Sequence, residues 1–265
     1  MAYKWDAVDY ARSSAGQLRW GRELIAKLQL QGNERVLDIG SGDGKVTAEI
    51  ASKLPTGYVL GVDNSPEMVA LAISSFPRNE YANLDFQLAD ASRLPFHKEF
   101  DVVFSNATLH WVLDHRPVLQ GIITSLKPGG RILLQMGGRG NASRVVDAVN
   151  EVCARPEWRE RFTGFQFPYG FYDVGEYFSW LAEVGLTPVR LELIPKVMAH
   201  ADRLAFEGWL RTTWMPYTRR VQEDRRHEFI EQVAGTYLTT NPPSTDGTIH
   251  LQMVRLEVES KKDLD

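Results

Sequence analysis

The stretch Arg35-Val36-Leu37-Asp38-Ile39-Gly40-Ser41-Gly42-Asp43-Gly44 limits what this chain can fold into more than any other. Val36, Leu37 and Ile39 read as a short buried strand, set off by Gly32-Asn33 before it and by three glycines after it. Lys45 to Ala51 then takes up helical spacing, with Val46, Ile50 and Leu54 on one stripe. A strand that breaks into alternating glycines and restarts as a helix sets bare backbone N–H groups beside a cavity. No Cβ keeps a ligand off that backbone. The pattern is that of a nucleotide-type cofactor loop.

Downstream the alternation continues. Gly57 to Val62 reads as a second strand ending at Asp63, followed by Ser65-Pro66-Glu67, a helix start with serine as cap, proline first and an acid in the first turn. Leu84 to Ala89 is a third strand ending at Asp90, Phe100 to Ser105 a fourth, and Gly130 to Gln135 a fifth. Between the last two, a helix from Arg116 to Leu126 is stopped by Lys127-Pro128-Gly129-Gly130. Strands alternating with helices imply right-handed crossovers and a parallel, doubly wound α/β sheet. Ligands of such sheets sit beyond the carboxyl ends of the strands. Asp38, Asp63, Asp90 and Asn106 all fall at or just past those ends.

The flanking segments differ. Residues 8 to 30 are amphipathic, and Trp5, Trp20, Leu18, Ile25 and Leu28 could pack them over the glycine loop. After Met136, helices are expected over Asn141–Ala154, Asp173–Val184, Leu204–Thr213 and Arg219–Leu238, strands over Thr187–Val197 and Thr248–Val258. An aromatic loop carries Phe162, Phe165, Phe167, Tyr169, Phe171 and Tyr172. The expected organisation is a single domain over 1–265. It comprises an N-terminal helical cover over 1–30, a cofactor-binding core over 34–136, a helical and aromatic substrate cover over 139–185 and 199–245, and a final strand over 248–258.

Composition narrows the function. A net charge of −4 in 265 residues argues against a general nucleic-acid binder. A single cysteine, Cys153, leaves neither an intrachain disulfide nor a cysteine metal cluster, and a buried structural thiol is the default for it. No segment is apolar for long enough to span a bilayer, and the N-terminus lacks the apolar run of a signal peptide, so a cytoplasmic protein is expected.

The glycines at 40, 42 and 44 give Gly-x-Gly-x-Gly and not the longer dinucleotide spacing that a nicotinamide enzyme would want. Asp63 follows Gly44 by 19 residues, where a carboxylate can accept both ribose hydroxyls. Asp90-Ala91 suits a contact to an adenine amino group. Taken one at a time these residues have plainer roles: a turn glycine, a capping acid before Asn64-Ser65-Pro66, and, for Asp101, a solvated strand-edge acid. Together, the segments Asp38-Ile39-Gly40-Ser41-Gly42-Asp43-Gly44, Gly61-Val62-Asp63-Asn64-Ser65, Leu88-Ala89-Asp90-Ala91 and Leu126-Lys127-Pro128-Gly129-Gly130 resemble the class I S-adenosylmethionine-dependent methyltransferases, in order and at the family spacing, over residues 34 to 136. The resemblance implies a Rossmann-like seven-stranded sheet with an antiparallel last strand and helical lid insertions. It implies S-adenosyl-L-methionine as cofactor, with Asp38, Gly40, Ser41, Gly42, Gly44, Asp63, Asn64, Met68, Asp90, Ala91 and Asn106 around it. In that arrangement Gly40 to Gly44 run along the methionine part, Asp38 helps place its amino group, Asp63 binds the ribose and Asp90 with Ala91 faces the adenine.

On the acceptor side, Phe104 to Val112 follows the fourth strand. His110 is either a structural hydrogen-bonder or a general base. Tyr10 to Gln17 together with His110-Trp111 looks like the juvenile hormone acid and plant carboxyl methyltransferases, in which a Gln amide and a Trp indole hold the substrate carboxylate; Gln17 and Trp111 are the matching positions. Trp209 to Tyr217, Arg226 to Ile230 and Asp246 to Ile249 are similar to the trans-aconitate and malonyl-carrier-protein O-methyltransferases. A carboxylate is already nucleophilic at neutral pH, so its methylation needs positioning and little acid–base help. Gln17, His110 and Trp111 are therefore the candidate catalytic set, and Arg211, among aromatic neighbours, a candidate substrate contact with Trp111. The other arginines between 203 and 226 alternate with acids and read as a solvated face. The expected acceptor is a small organic acid, with no nucleic acid, membrane or metal involved, and the expected assembly a monomer or weak dimer. The alternatives are methylation of a non-acid small molecule with His110 as base, or a cofactor-binding protein of this fold without transfer activity.

Overall fold

The computed structural model describes residues 15 to 264 of the chain. Its elements in order are α1 (Ala15–Lys27), β1 (Arg35–Ile39), α2 (Lys45–Ala51), β2 (Tyr58–Asp63), α3 (Pro66–Ser75), β3 (Leu84–Leu88), β4 (Phe100–Asn106), α4 (Arg116–Ser125), β5 (Leu126–Gly137), α5 (Ser143–Cys153), α6 (Val174–Val184), β6 (Leu186–His200), α7 (Arg203–Thr213), the single turn α8 (Met215–Thr218), α9 (Arg226–Thr240) and β7 (Ile249–Lys262). The seven strands form one sheet in the order β3-β2-β1-β4-β5-β7-β6. The pairs β1–β2, β2–β3, β1–β4 and β4–β5 are parallel, and β7 runs antiparallel to β5. This is the doubly wound sheet with a reversed last strand that the motifs imply.

The order of connection reverses between β1 and β4, and that is where a ligand cleft opens in such sheets. The two faces of β1 show how it is held. Val36 packs with Leu24 of α1, Leu28 just after it and Ile50 of α2, while Leu37 and Ile39 pack with Val118, Ile122, Tyr177 and Leu181 from α4 and α6. A strand buried on both faces reads as a continuous apolar run, which Val36-Leu37-Asp38-Ile39 is, save for Asp38. Burial of each such side chain is worth about 1.5–3 kcal/mol. The aspartate is therefore the residue that packing does not explain.

Two compact units emerge. The first holds the described residues up to Arg139, then Tyr169–Ile194 and Arg255 onward; the second holds Gly140–Pro168 and Pro195–Val254. Within the second, α9 packs against α5, α7 and α8. Its core is aromatic: Trp158 meets Phe229 edge-on at 5.4 Å, Phe162 stacks on Phe229 at 5.6 Å, and Phe206 lies 5.0 Å from Tyr237. Burial pushes the Cys153 thiol there up to about 12, so the thiolate is scarce at neutral pH.

Some boundaries depart from the sequence reading. The helix expected from Arg219 begins at Arg226, after the turn α8 and a short 3₁₀ segment over Glu223–Arg225. Strand β5 starts at Leu126, because Leu126 pairs with Phe100 before the ladder jumps to Val102 opposite Arg131. Lys127 to Gly130 are the extra residues of that irregularity, and Lys127 Nζ reaches Asp101 at 2.9 Å. Asp101 also accepts from the backbone N–H of Arg35 at 2.8 Å, a structural role at the strand edge. Among the described residues no helix is long and apolar enough to cross a membrane.

Candidate functional site

Strand β1 ends because Gly40 turns out of it at a φ of +79°, a conformation that L side chains rarely adopt. A Cβ there would also lie 2.1 Å from the Thr108 methyl, so glycine is needed twice over. The N–H groups of Gly40 and Ser41 both donate to the Val62 carbonyl, at 2.7 and 3.0 Å, and Gly44 donates to Ser41 at 3.0 Å. From the other side, the Ser105 hydroxyl donates to the Ile39 carbonyl at 2.7 Å and the Thr108 hydroxyl to the Gly40 carbonyl at 3.1 Å. The loop is thus stitched to β2 and to the end of β4. Gly42, at a φ of +53°, has nothing within 4 Å of where a Cβ would be; its bare face looks onto open space.

The acids are held in distinct ways. Asp38 is buried and accepts from the Thr47 hydroxyl at 2.6 Å. Burial, helped by the charge of Asp63, outweighs that bond and raises the Asp38 carboxyl to about 7. Asp63, at the last position of β2, accepts from Gly42 N–H at 3.0 Å and from Ser65 N–H at 2.9 Å. Burial raises its pKa as well, against those backbone donors. Asp90 is exposed, just past β3, and caps the 3₁₀ turn Ala91–Arg93 by accepting from Ser92 N–H at 2.8 Å.

After β4 the chain makes a tight loop. Ala107 sits at a φ of +57° and donates its N–H to the Gln135 carbonyl at 2.8 Å. Such a conformation in a non-glycine residue costs about 1 kcal/mol or more and persists where surrounding contacts enforce it. Leu109–Trp111 form a 3₁₀ turn. His110 lies against Trp111, Tyr169 and Phe171 at 5.7 to 6.4 Å between ring centres, and its Nδ1 accepts from Gly137 N–H at 3.4 Å. Burial, then the positive charge of Arg255, push His110 well below its ordinary value.

His115 was not among the residues singled out from sequence, yet it closes this loop. Its Nε2 bonds the carbonyls of Leu109 and Val112 at 2.8 and 2.9 Å, and its Nδ1 meets the Tyr177 hydroxyl at 2.6 Å. Since Nε2 faces two carbonyls it carries the ring proton, and Nδ1 accepts. Burial lowers this imidazole to about 4, so it stays neutral. A histidine beside Arg116-Pro117 at a helix start carries no motif, which is why the sequence did not point to it.

These walls enclose a cleft with two lobes. One, an open-mouthed space of about 850 Å³, is lined by Gly40, Gly42, Asp63, Asn64, Met68, Asp90, Ala91 and, from the loop after β4, Ala107, Thr108, Trp111 and Val112. The other, about 480 Å³, is lined by Asp38, Gly40, Ser41, Gly42 and Asn106 with Leu18 of α1. They share Gly40, Gly42, Ala107 and Thr108. Two long carboxylate-bearing strand ends, a bare glycine and a buried Ser41 hydroxyl with no hydrogen-bond partner among the described residues fit a ligand that joins an amino acid, a ribose and an adenine. That is the shape of the cofactor expected from the sequence.

A protein-family model described as a methyltransferase domain matches residues 30–169, more than half of the chain. The chain belongs to the methyltransferase family. Along its whole length the methyltransferase is similar to a trans-aconitate 2-methyltransferase of Variovorax paradoxus, 28% identical over 97% of this chain and 98% of that one. Its fold is similar to that of the YcgJ protein of Bacillus subtilis, with a TM-score of 0.63 and 20% identity over 94% of this chain and 100% of that one. It is also similar to a Haemonchus contortus phosphoethanolamine N-methyltransferase solved with phosphomonomethylethanolamine and S-adenosylhomocysteine, with a TM-score of 0.61 and 18% identity over 97% of this chain and 57% of that one.

Of the residues singled out from sequence, the methyltransferase brings Asp38, Gly40, Ser41, Gly42, Asp63, Asn64, Met68, Asp90, Ala91, Asn106 and Trp111 to the cleft walls. Gly44 is set back from it: a Cβ there would lie 2.6 Å from the Phe86 ring, so its task is to let α2 pack close. His110 stands behind Trp111 and is not on the wall. Gln17 falls in the first turn of α1, and its side chain, like residues 1 to 14 with Trp5 and Tyr10, lies outside the described residues. Arg211 is an exposed residue of α7 in the second unit. Thr108 was missed. Its signal was only its place two residues after Asn106, with nothing in its type to mark it.

Proposed function

We infer that the methyltransferase takes its methyl group from S-adenosylmethionine and delivers it to an oxygen of a small carboxylic acid. One observation carries the choice of acceptor. The wall beyond the glycine loop is formed by Ala107, Thr108, Trp111 and Val112, and among the described residues it has no basic side chain. The histidine behind it, His110, is kept far below neutral basicity by burial and by Arg255. A phenol or an ammonium acceptor would need a base of ordinary strength to remove its proton. A carboxylate needs none. The similarity to a trans-aconitate 2-methyltransferase supports the same reading.

S-adenosylmethionine, when bound, supplies a sulfonium methyl: the O–CH₃ bond forms as the S–CH₃ bond breaks, and the two opposite charges cancel without a proton moving. What remains for the chain is positioning and exclusion of water. Asp38, deep at the end of β1, offers a carboxylate to the cofactor's ammonium group, and Ser41 a free hydroxyl beside it. Asp63 and Asp90 take the ribose and the adenine amino group, with Met68 and Asn64 beside them. Trp111 and Gln17 orient the acceptor carboxylate as donors without removing its charge. The H. contortus neighbour was solved with the demethylated form of this cofactor, which is in keeping with the assignment.

Trp111→Phe tests the acceptor half. It keeps the aromatic surface and removes the N–H, so turnover of a methylated acid should fall by about tenfold or more while affinity for S-adenosylhomocysteine shifts by less than about threefold. Turnover should also stay flat between pH 6 and 8. Equal loss of cofactor affinity, or an acid limb of the rate that disappears in His110→Gln, would point instead to a cofactor-side role for Trp111 or to His110 as base.

A further inference from the structure

The two lobes of the cleft meet at four residues. Gly40, Gly42, Ala107 and Thr108 line both, while Asp38 and Ser41 belong to one lobe and Asp63, Asp90 and Trp111 to the other. With the ammonium end of the cofactor against Asp38 and its ribose against Asp63, the sulfur that joins them falls at this junction. Gly40, Gly42 and Ala107 bring only backbone and one methyl group there; Thr108 brings a side-chain oxygen. Its hydroxyl lies 3.1 Å from the Gly40 carbonyl and 3.2 Å from the Asn106 carbonyl. Both are acceptors, so the one hydroxyl hydrogen is turned to them and the oxygen keeps lone pairs to spare. No N–H or O–H among the described residues donates to that oxygen. The residue is locked in place. A Cβ on Gly40 would lie 2.1 Å from its methyl and 2.2 Å from its oxygen, and the Trp111 N–H donates to its carbonyl at 2.9 Å. It is half-buried and lines the cleft.

Resting on that placement of the cofactor, and on no particular acceptor, we propose that the Thr108 hydroxyl oxygen receives the C–H groups of the sulfonium methyl. Thr108 is then a catalytic residue, one that tells the charged methyl donor from its spent product. C–H groups donate weakly to oxygen, and charge on the donor strengthens a contact of this kind. A methyl on a positively charged sulfur is polarised in that way. The thioether left after transfer has neither the methyl nor the charge. The contact therefore aims the methyl before transfer and is absent afterwards, which favours exchange of product for fresh donor. A valine would fill the same space over Gly40 with a C–H group in place of the oxygen.

The test needs no acceptor and no turnover. Calorimetry on the full chain measures the affinities for S-adenosylmethionine and for S-adenosylhomocysteine in wild type, Thr108→Val and Thr108→Ser. Thr108→Val should weaken S-adenosylmethionine by at least about threefold while S-adenosylhomocysteine shifts by less than about twofold. Thr108→Ser, which keeps the oxygen, should restore the wild-type ratio. With S-adenosylmethionine labelled with ¹³C in the methyl group, the bound methyl proton resonance should lie downfield in wild type and Thr108→Ser and move upfield in Thr108→Val. Equal weakening of both ligands in Thr108→Val, or one methyl shift common to all three proteins, would overturn the proposal and leave Thr108 as a wedge against Gly40. Asp63→Asn checks the placement separately and should weaken both ligands alike. If it leaves both affinities unchanged, the cofactor lies elsewhere and the assignment of Thr108 falls with it.

Discussion

Asp38 is the side chain whose chemistry is most altered by where it sits. It lies in a strand with apolar residues on both sides, it accepts from the Thr47 hydroxyl, and burial raises its carboxyl to about 7. An acid whose folded pKa is raised holds a proton that the unfolded chain gives up, so its ionisation takes stability away as pH climbs from about 4 to about 7. His110, His115 and His200, all lowered by burial, act in the opposite direction as pH falls. The difference between wild type and Asp38→Asn isolates the term. The ligand-free variant should gain stability relative to wild type as pH rises from 5 to 8. In the wild type, an ammonium group binding against Asp38 should expel its proton, so that calorimetry near pH 6 in two buffers of different ionisation enthalpy shows proton release and an affinity that improves toward pH 8. A pH-independent difference between the two proteins, with no proton released, would mean that Asp38 is already ionised and held by something else.

At the scale of elements, the loop between β4 and α4 decides what the cleft can do. It gives the shared wall its Ala107 and Thr108 and the acceptor side its Trp111, and it has little regular structure of its own. Its shape is imposed from outside: Thr108 on the glycine loop, Ala107 on β5, and His115 across Leu109 and Val112. His115→Ala removes three hydrogen-bonding partners at once and leaves two carbonyls and the Tyr177 hydroxyl to find others. A loss of about 2–4 kcal/mol in stability is expected from denaturant unfolding. Turnover well below the melting temperature should drop while S-adenosylhomocysteine affinity holds, because the glycine loop does not lean on His115. Unchanged turnover would show that Trp111 keeps its place without this clamp. The contrast between the two loops also explains what could be read beforehand. Gly40 and Gly42 announce themselves because only glycine fits their backbone, whereas the clamp depends on a histidine brought to carbonyls by tertiary packing.

Over the whole molecule, the sheet was legible and much of the material beyond it less so. Strands β1, β2 and β4 are buried on both faces and so appear in sequence as short, dense apolar runs between glycines and acids. The parallel order and the strand-end placement of Asp38, Asp63, Asp90 and Asn106 follow from that alternation alone. The second unit builds its core from aromatic rings that meet across sequence, such as Trp158 with Phe229, and such contacts leave no period to read. The arginine-rich run from Arg219 has helical composition but is broken at Val221, which is buried ahead of the 3₁₀ segment, so the long helix starts seven residues later than expected. Arg211 has aromatic neighbours in the sequence, but the burial around it belongs to Leu210 and Thr212 rather than to its own exposed side chain. His115, by contrast, lies in a segment without a motif and gains its significance only from loop closure.

A methyl group delivered to a carboxylate oxygen is held there as a methyl ester. Incubation with S-adenosylmethionine labelled in the methyl group and a panel of di- and monocarboxylic acids, followed by mild alkaline hydrolysis of the product, addresses it directly. Label should be transferred to an acid and released as methanol by alkali, as a methyl ester requires. Label that survives alkali on an ether, amine or carbon position would contradict it.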